Sequence, residues 1–195
     1  FFNYSLMIQS ISHISVVIIA NNAERTISDC LNSLGLFEEV ILYLNDSVDS
    51  TEKIALAFSN VKIVKGPFLG FGETKQQAIS HASNNWIFSL DSDECLSESL
   101  TNSLVIQNLK ETCVYRIKRT TFYKKRKIRF CGLRNEQVVR LFNKEITNFN
   151  NLLVHETVLE KDLDSQLLDG FLNHYSYLSI SDLIQKSDSY SELYA

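Results

Sequence analysis

The sequence predicts an α/β domain built on a mostly parallel central sheet, and three observations carry that prediction. Near-continuous apolar, β-branched runs of strand length, Ile14 to Ala20 first among them, read as strands buried on both faces. Stretches with apolar residues at helical spacing separate these runs, so strand and helix alternate. The run Trp86-Ile87-Phe88-Ser89-Leu90 stops abruptly in Asp91-Ser92-Asp93-Glu94. A buried strand does not hold charges, so these carboxylates belong at the rim of the sheet, where open α/β sheets bind ligands.

Taken in order, Ile14 to Ala20 is the first strand, and Asn21, Asn22 and Glu24 offer a cap and a capping-box-like partner for the helix that follows. That helix carries Ile27, Cys30, Leu31 and Leu34 at i, i+3, i+4 and i+7 and ends at Gly35. Val40 to Leu44 makes a second strand, Asp49 or Ser50 caps a second helix with Ile54, Ala57 and Phe58, and Val61 to Val64 makes a third strand. The segment Gly66-Pro67-Phe68-Leu69-Gly70-Phe71-Gly72 holds three of the six glycines and the one proline, and feeds a polar helix from about Glu73 to Ser83. Free N–H groups at such a helix start make an anion site, and Lys75 on its first turn either reaches a phosphate or is a solvated helix lysine. The P-loop ending GK[ST] and the dinucleotide spacing GxGxxG are both missing.

Trp86 to Leu90 is the fourth strand, and Ser97 opens a helix bearing Leu100, Leu104 and Leu109 that leads to a strand at Cys113 to Ile117. Val138 to Phe142 reads as one more strand, with Arg140 facing inward or toward the rim. Leu152-Leu153-Val154-His155-Glu156 is a second apolar run that ends in titratable groups, and Asn173 to Tyr177 follows an acidic loop. Ile180 to Tyr194 reads as an amphipathic helix, after which the chain stops without a terminating signal, as a truncated chain would.

A chain of 195 residues, 45% hydrophobic and 22% charged, fits one globular domain with a substantial core, and its composition excludes disorder and coiled coil. The net charge is −4, yet Lys118, Arg119, Lys124, Lys125, Arg126, Lys127 and Arg129 place +7 within twelve residues, which leaves −11 for the rest. That block is either a solvated hairpin or a surface that meets anions, such as a phosphorylated acceptor or acidic lipid headgroups. Nucleic acid is not the expected partner, because no binding signature accompanies this local patch. Cys30, Cys95, Cys113 and Cys131 lie far apart without a CxxC pair, which argues against zinc and a disulfide framework and for a reducing cytoplasm. No apolar run approaches the roughly 20 residues of a membrane span, and the opening residues lack the basic start of a signal peptide. Met7 is a candidate natural start, with the residues before it an extension.

If the backbone stays extended past the fourth strand, Asp91 and Asp93 project to one side. Paired carboxylates repel unless a cation sits near them, and hard divalent ions such as Mg²⁺ or Mn²⁺ take oxygen ligands, so the chemical reading is a metal holding a substrate diphosphate. The alternative is that both aspartates solubilise a loop and cap the next helix. An EF-hand loop starting at Asp91 needs glycine and glutamate where Leu96 and Asn102 stand. An aspartyl-nucleophile phosphatase has threonine where Cys95 stands, and has its motif on the first strand.

The order of parts resembles the inverting glycosyltransferases of family 2. The resemblance rests on ISVVIIANN, on Ser47-Val48-Asp49-Ser50-Thr51 against an STDGT pattern, and on GFGETKQQA, LDSDE, VVRLF, LVHE and HYSY, and it runs from Ile14 to about Tyr194. Within the family it looks most like the small bacterial transferases that add a hexose, typically β-glucose, to the inner core of lipopolysaccharide or lipooligosaccharide. The resemblance implies a GT-A fold, a Rossmann-like nucleotide-sugar-binding three-layer αβα sandwich. It divides one domain, 14–195, into a nucleotide-binding half (14–96) and an acceptor-side half (97–195), with 1–13 an extension.

The resemblance also implies roles. Asp93 holds Mg²⁺ or Mn²⁺, with Asp91 toward the ribose or a metal-bound water, and His174 completes the metal shell or touches the diphosphate. Arg140 and Lys75 contact phosphate oxygens, with Gly72 beside them. Ala20, Asn21 and Asn22 line the nucleotide pocket with Asp49. Glu156 is the base that takes the acceptor's proton, with His155 the second choice, while His13 and His81 have no such role. One departure stands out: the aspartate expected five residues before Asp49 is Leu44, which leaves Asn45 or Asp46 to read the base. The implied partners are a UDP-sugar donor and a lipid-linked saccharide acceptor, at the cytoplasmic face of the inner membrane with contact to its anionic surface. Two other classes compete. A sugar nucleotidyltransferase would carry a glycine-rich basic signature where Asn21-Asn22-Ala23-Glu24 stands, and a non-catalytic anion- or lipid-binding module would rely on the basic stretch alone.

Overall fold

β1 (Ile11–Ala20) is the spine of the sheet, and from Ile14 to Ala20 every residue is buried. Strand periodicity sends its side chains to opposite faces. Val16, Ile18 and Ala20 enter one core with α1 (Ile27–Asn32), α2 (Thr51–Ala55) and α4 (Glu98–Ile106), and Val17 and Ile19 enter a second core with α3 (Phe71–Ile79). Helices therefore cover both faces of the sheet. The computed structural model describes residues 10–124, 126–128, 136–153, 156–177 and 179. The second-choice base His155, Cys131, Lys125, Arg129, the proposed start at Met7 and the stretch Ile180 to Tyr194 lie outside the described residues.

β2 (Phe37–Leu44), β3 (Val61–Lys65) and β4 (Trp86–Asp91) join β1 in the parallel order β3-β2-β1-β4, as the βαβαβ reading requires. Beyond β4 the sheet becomes mixed. β8 (Glu136–Asn143) runs antiparallel to β4, and β6 (Cys113–Tyr123) antiparallel to β8. β9 (Asp164–Tyr177) runs parallel to β6, and the short β5 (Glu94–Leu96) closes the edge against β9. β7 (Arg126–Lys127) folds back on β6 as a hairpin. Part of the stretch expected as an acidic loop is thus the start of a strand of 14 residues. Among the described residues no helix is long and apolar enough to cross a membrane.

Local chemistry corrects several boundaries. Asn21, Asn22 and Glu24 do not cap α1, whose N-cap Thr26 makes no side-chain capping bond; they reach across to the loop after β2 instead. Asp49, rather than Ser50, takes the first N–H of α2, at Thr51. α3 starts at Phe71 and ends at Ile79, and Leu109 lies past the end of α4, whose start is capped by the Ser97 hydroxyl as expected.

Candidate active site

The C-terminal end of β4 meets the other strands at a point where charge alternates along a chain of seven side chains. The backbone does not stay extended here: residues 92 and 93 form a turn, closed by the Glu94 carboxylate accepting the Asp91 N–H at 3.2 Å. Asp91 and Asp93 therefore point to different partners. Lys75 donates to Asp91 Oδ1 at 3.0 Å and to Glu156 Oε1 at 2.6 Å. One nitrogen of Arg140, Nη2, serves Asp91 Oδ2 and Glu94 Oε1, each at 2.6 Å. Arg119 reaches Glu94 at 3.3 Å and holds Glu136 at 2.8 Å. The order is Glu156, Lys75, Asp91, Arg140, Glu94, Arg119, Glu136: four carboxylates and three cations, with one negative charge in excess.

Burial makes this pairing obligatory, because an isolated charge out of water is costly. Glu94 is fully buried, and Lys75 and Arg140 are 2% and 5% exposed. Burial alone would push the Lys75 ammonium down, but the carboxylates of Asp91 and Glu156 more than offset it and hold its pKa above the ordinary lysine value. Arg140 is likewise held charged against burial by Asp91 and Glu94. Burial works to raise Asp91, yet Arg140 and Lys75 hold it well below the usual carboxylate range. In this structure Lys75 and Arg140 lie beneath the rim, each held between two carboxylates; the sequence placed them on phosphate oxygens.

The start of α3 is not an open anion site either. The Phe71 and Gly72 N–H groups donate to the Leu153 and Leu152 carbonyls at 3.0 and 3.1 Å, so the loop before Glu156 occupies them. Gly72 makes that approach possible: a Cβ there would lie 2.0 Å from the Asn150 carbonyl oxygen. Its place is under the loop that carries Glu156.

Asp93 and His174 form a separate pair. Their strands meet where Glu94 registers with His174, and the Tyr175 N–H donates to the Asp93 carbonyl at 2.8 Å. His174 Nε2 lies 3.3 Å from Asp93 Oδ1, while His174 Nδ1 is buried without a hydrogen-bond partner. Two adjacent ligands of an octahedral ion bound at about 2.1 Å stand about 3 Å apart, so the pair fits two positions on Mg²⁺ or Mn²⁺. Among the described residues no group of three or more His, Cys, Asp or Glu side chains is disposed to hold a metal. Asp91, tied to Lys75 and Arg140, is not a third ligand in this arrangement. Such ions commonly take their remaining ligands from waters and substrate phosphates. A cavity of about 500 Å³ opens beside Asp93, lined by Arg25, Asp29, Lys124 and the stacked rings of Phe122 and Tyr175, whose centroids are 5.2 Å apart.

The residues expected to line the nucleotide pocket zip two loops together. Asn21 Nδ2 donates to the Asn45 carbonyl at 2.6 Å, the Val48 N–H to Asn22 Oδ1 at 2.9 Å, and the Glu24 N–H to Asp49 Oδ2 at 2.9 Å. The Asn45 N–H reaches the Ala20 carbonyl at 3.1 Å. Despite partial burial, the hydrogen bonds from Thr51 and from the Glu24 N–H hold the Asp49 carboxyl below its ordinary value. Leu44 is buried in the core, and of the two candidate base readers Asn45 is buried and Asp46 exposed.

Glu94 and Glu136 had been given no role by sequence, and Arg119, read with the basic block as part of a solvated hairpin or an anion-meeting surface, instead turns to these two carboxylates. Period two could have found Arg119, which shares its face of β6 with the buried Tyr115, Ile117 and Thr121, while Lys118 points to solvent. Glu94 shares the buried face of β5 with Leu96. Cys30, Cys95 and Cys113 are free thiols, and burial, then Asp29 and Asp93, push Cys95 up to about 12.

The profile of glycosyl transferase family 2 matches residues 15–156. The chain is 34% identical over 192 residues to an uncharacterized glycosyltransferase of Rickettsia typhi, with 91% of this chain and 65% of that protein covered. It is 24% identical over 189 residues to the lipopolysaccharide core biosynthesis glycosyltransferase LpsC of Rhizobium meliloti, covering 93% of this chain and 70% of that one. The chain thus spans about 65% of the length of the rickettsial relative. S. aureus TarS in complex with UDP superposes with a TM-score of 0.57 at 17% identity, over 88% of this chain and 62% of that one. Glucosyl-3-phosphoglycerate synthase of Mycobacterium tuberculosis, solved with Mn²⁺, UDP and phosphoglyceric acid, gives 0.51 at 20% identity, over 87% and 72%. At these identities the likeness to the solved structures is one of fold.

Proposed function

The chain belongs to glycosyl transferase family 2, and from that premise we propose that it moves a hexose, glucose in our reading, from a UDP-sugar to a saccharide of a lipopolysaccharide or lipooligosaccharide core, inverting the anomeric centre. The observation that carries this reading is that Glu156 and the Asp93–His174 pair both converge on Asp91: Lys75 bridges Asp91 to Glu156, and Asp93, two residues on, meets His174. Glu156, with its side chain 15% exposed, takes the proton of the acceptor hydroxyl as that oxygen bonds to the anomeric carbon and the bond from that carbon to the diphosphate oxygen breaks. Asp93 and His174 hold Mg²⁺ or Mn²⁺, which when bound neutralises charge on the departing diphosphate. Asp91, pinned by Lys75 and Arg140, turns its remaining exposed surface to the donor ribose or to a metal-bound water.

Three further observations support the donor and acceptor classes. The cavity beside Asp93 offers Arg25 and Lys124 to anionic groups. The relative LpsC is described as acting in lipopolysaccharide core biosynthesis, and the two solved structures contain UDP. Lys118, Lys124, Arg126 and Lys127 are exposed and would meet acidic headgroups of a cytoplasmic membrane face.

The test is a melt with UDP-, GDP- and CDP-sugars, with and without Mn²⁺, beside an assay of donor hydrolysis and transfer. A UDP-sugar at 100 times its Kd should stabilise the folded chain by about 2.7 kcal/mol. Asp93→Ala should abolish metal-dependent turnover while the melt without ligand stays close to that of the parent. An active Asp93→Ala enzyme would remove the metal from Asp93, and a flat response to every nucleotide would favour a non-catalytic anion-binding module.

A further inference from the structure

We propose that Lys75 is a positioning residue that fixes the base against the donor-side carboxylate, and that it makes no contact with phosphate. This rests on the reading of Glu156 as the base. Among its described residues, the loop that delivers Glu156 is held to itself by a bridge between Phe149 and Val158 and by the Asn150 N–H donating to the Thr157 carbonyl at 2.9 Å, and another element seats it on the rest of the fold. That element is one face of α3. Gly72, Lys75 and Gln76, at i, i+3 and i+4, share a helix face, and all three grip the loop. Gly72 donates to the Leu152 carbonyl, Gln76 Nε2 donates to the Phe149 carbonyl and to Asn151 Oδ1 at 2.6 Å each, and Lys75 takes Glu156 at 2.6 Å.

Lys75 is the only one of the three that also touches the donor side, through Asp91 at 3.0 Å. Its ammonium stands 5.1 Å from the centre of the Phe149 ring, which leans edge-on against Phe142. An ammonium has three donors, and at 2% exposure these neighbours enclose it, so no approach for a phosphate remains. Its one charge is shared by two carboxylates. When the acceptor's proton arrives on Glu156, the Lys75 ammonium still donates to Asp91 and so keeps its place. The lysine thus aligns the base without entering the reaction.

The experiment compares Lys75→Met, Lys75→Arg and Glu156→Gln in the full chain, using UDP-glucose hydrolysis with Mn²⁺ and calorimetric binding of UDP. Lys75→Met should lower kcat about 100-fold, the order expected when a reacting group is misplaced by about 1 Å, with KM for UDP-glucose and the affinity for UDP within about 3-fold of the parent. Combining it with Glu156→Gln should cost no more than Glu156→Gln alone, because the two residues act as one unit. Lys75→Arg, which keeps the charge, should recover part of the lost kcat, and it carries the comparison if Lys75→Met does not fold. A tenfold loss of UDP affinity with kcat retained would make Lys75 a phosphate contact and overturn the proposal, as would fully additive losses in the double variant. Undiminished kcat in Glu156→Gln would instead overturn the assignment of the base.

Discussion

In β1 and β4 the side chains buried short of the strand ends are apolar or serine, whereas β5, β6 and β8 carry Glu94, Arg119 and Arg140 within the sheet. In the parallel half Asn22, Glu24 and Asp49 clip one turn to another at the edge of solvent, while Lys75 and Asp91 at its rim join the ladder. The mixed half threads its charges through the interior as an alternating ladder. A loop clip that loses a partner can turn to water. A buried ladder cannot, since the remaining members keep their charges and lose their counter-charge. The same residue types therefore have unequal energetic weight on the two sides of β4.

Replacing Glu94 tests that inequality most severely. Its carboxylate is fully buried and serves Arg140, Arg119 and the Asp91 N–H together. Glu94→Gln should cost about 3–5 kcal/mol, the range for removing one partner of a buried ion pair, read as a lower urea midpoint at unchanged slope. A loss below about 1 kcal/mol, typical of an exposed pair, would mean that water reaches the ladder and that the two halves do not differ.

Gly72→Ala probes the seam between the halves, where α3 from the first supports the loop of the second. A Cβ at Gly72 would meet backbone oxygens of Asn150 and Leu152 at 2.0 and 3.0 Å, and backbone does not yield as a flexible side chain does. Overpacking of this kind costs about 1–3 kcal/mol. Because the displaced loop leads to Glu156, turnover should fall by more than the stability loss explains at a temperature where the variant is folded. An alanine variant with full turnover would show that the loop is placed independently of α3.

The contrast between the halves also explains what could be read in advance. A strand buried on both faces must be apolar throughout, so Ile14 to Ala20 and Trp86 to Leu90 announced themselves, and with them the parallel order and the rim. Glu94 looked like a third acid in a polar turn, because its burial depends on β9, which arrives about eighty residues later in the chain. Arg119 lay in a run of basic residues whose exposed members have the same composition. Alternation along β6 could put Arg119 on the inward face with Ile117 and Thr121, but only the registers with β8 and β9 decide that it meets Glu136 and Glu94. The glycine-rich turn was read as an anion site from its free N–H groups, but those of Phe71 and Gly72 meet another segment of the chain. Local pattern reveals which residues can be buried; non-local pairing decides what they meet.

Asp49 supplies the mildest test, and its result has a required dependence on pH. The two carboxylate oxygens accept the N–H groups of Thr51 and Glu24 and the Thr51 hydroxyl, so Asp49→Asn keeps the shape but loses the charge and turns one acceptor into an NH2 group. Substituting a cap-like carboxylate costs about 1 kcal/mol, well under the figure expected for Glu94. Since the folded chain holds the Asp49 pKa below its ordinary value, the stabilisation due to its charge is complete above about pH 4 and drains away as the pH falls through the depressed folded value. The gap between parent and Asp49→Asn in urea midpoints should therefore be full at neutral pH and narrow progressively in acid. A gap that stays constant across the acid range would assign the effect to altered loop packing, and a gap as large as that of Glu94→Gln would erase the distinction between a clip open to water and a ladder closed to it.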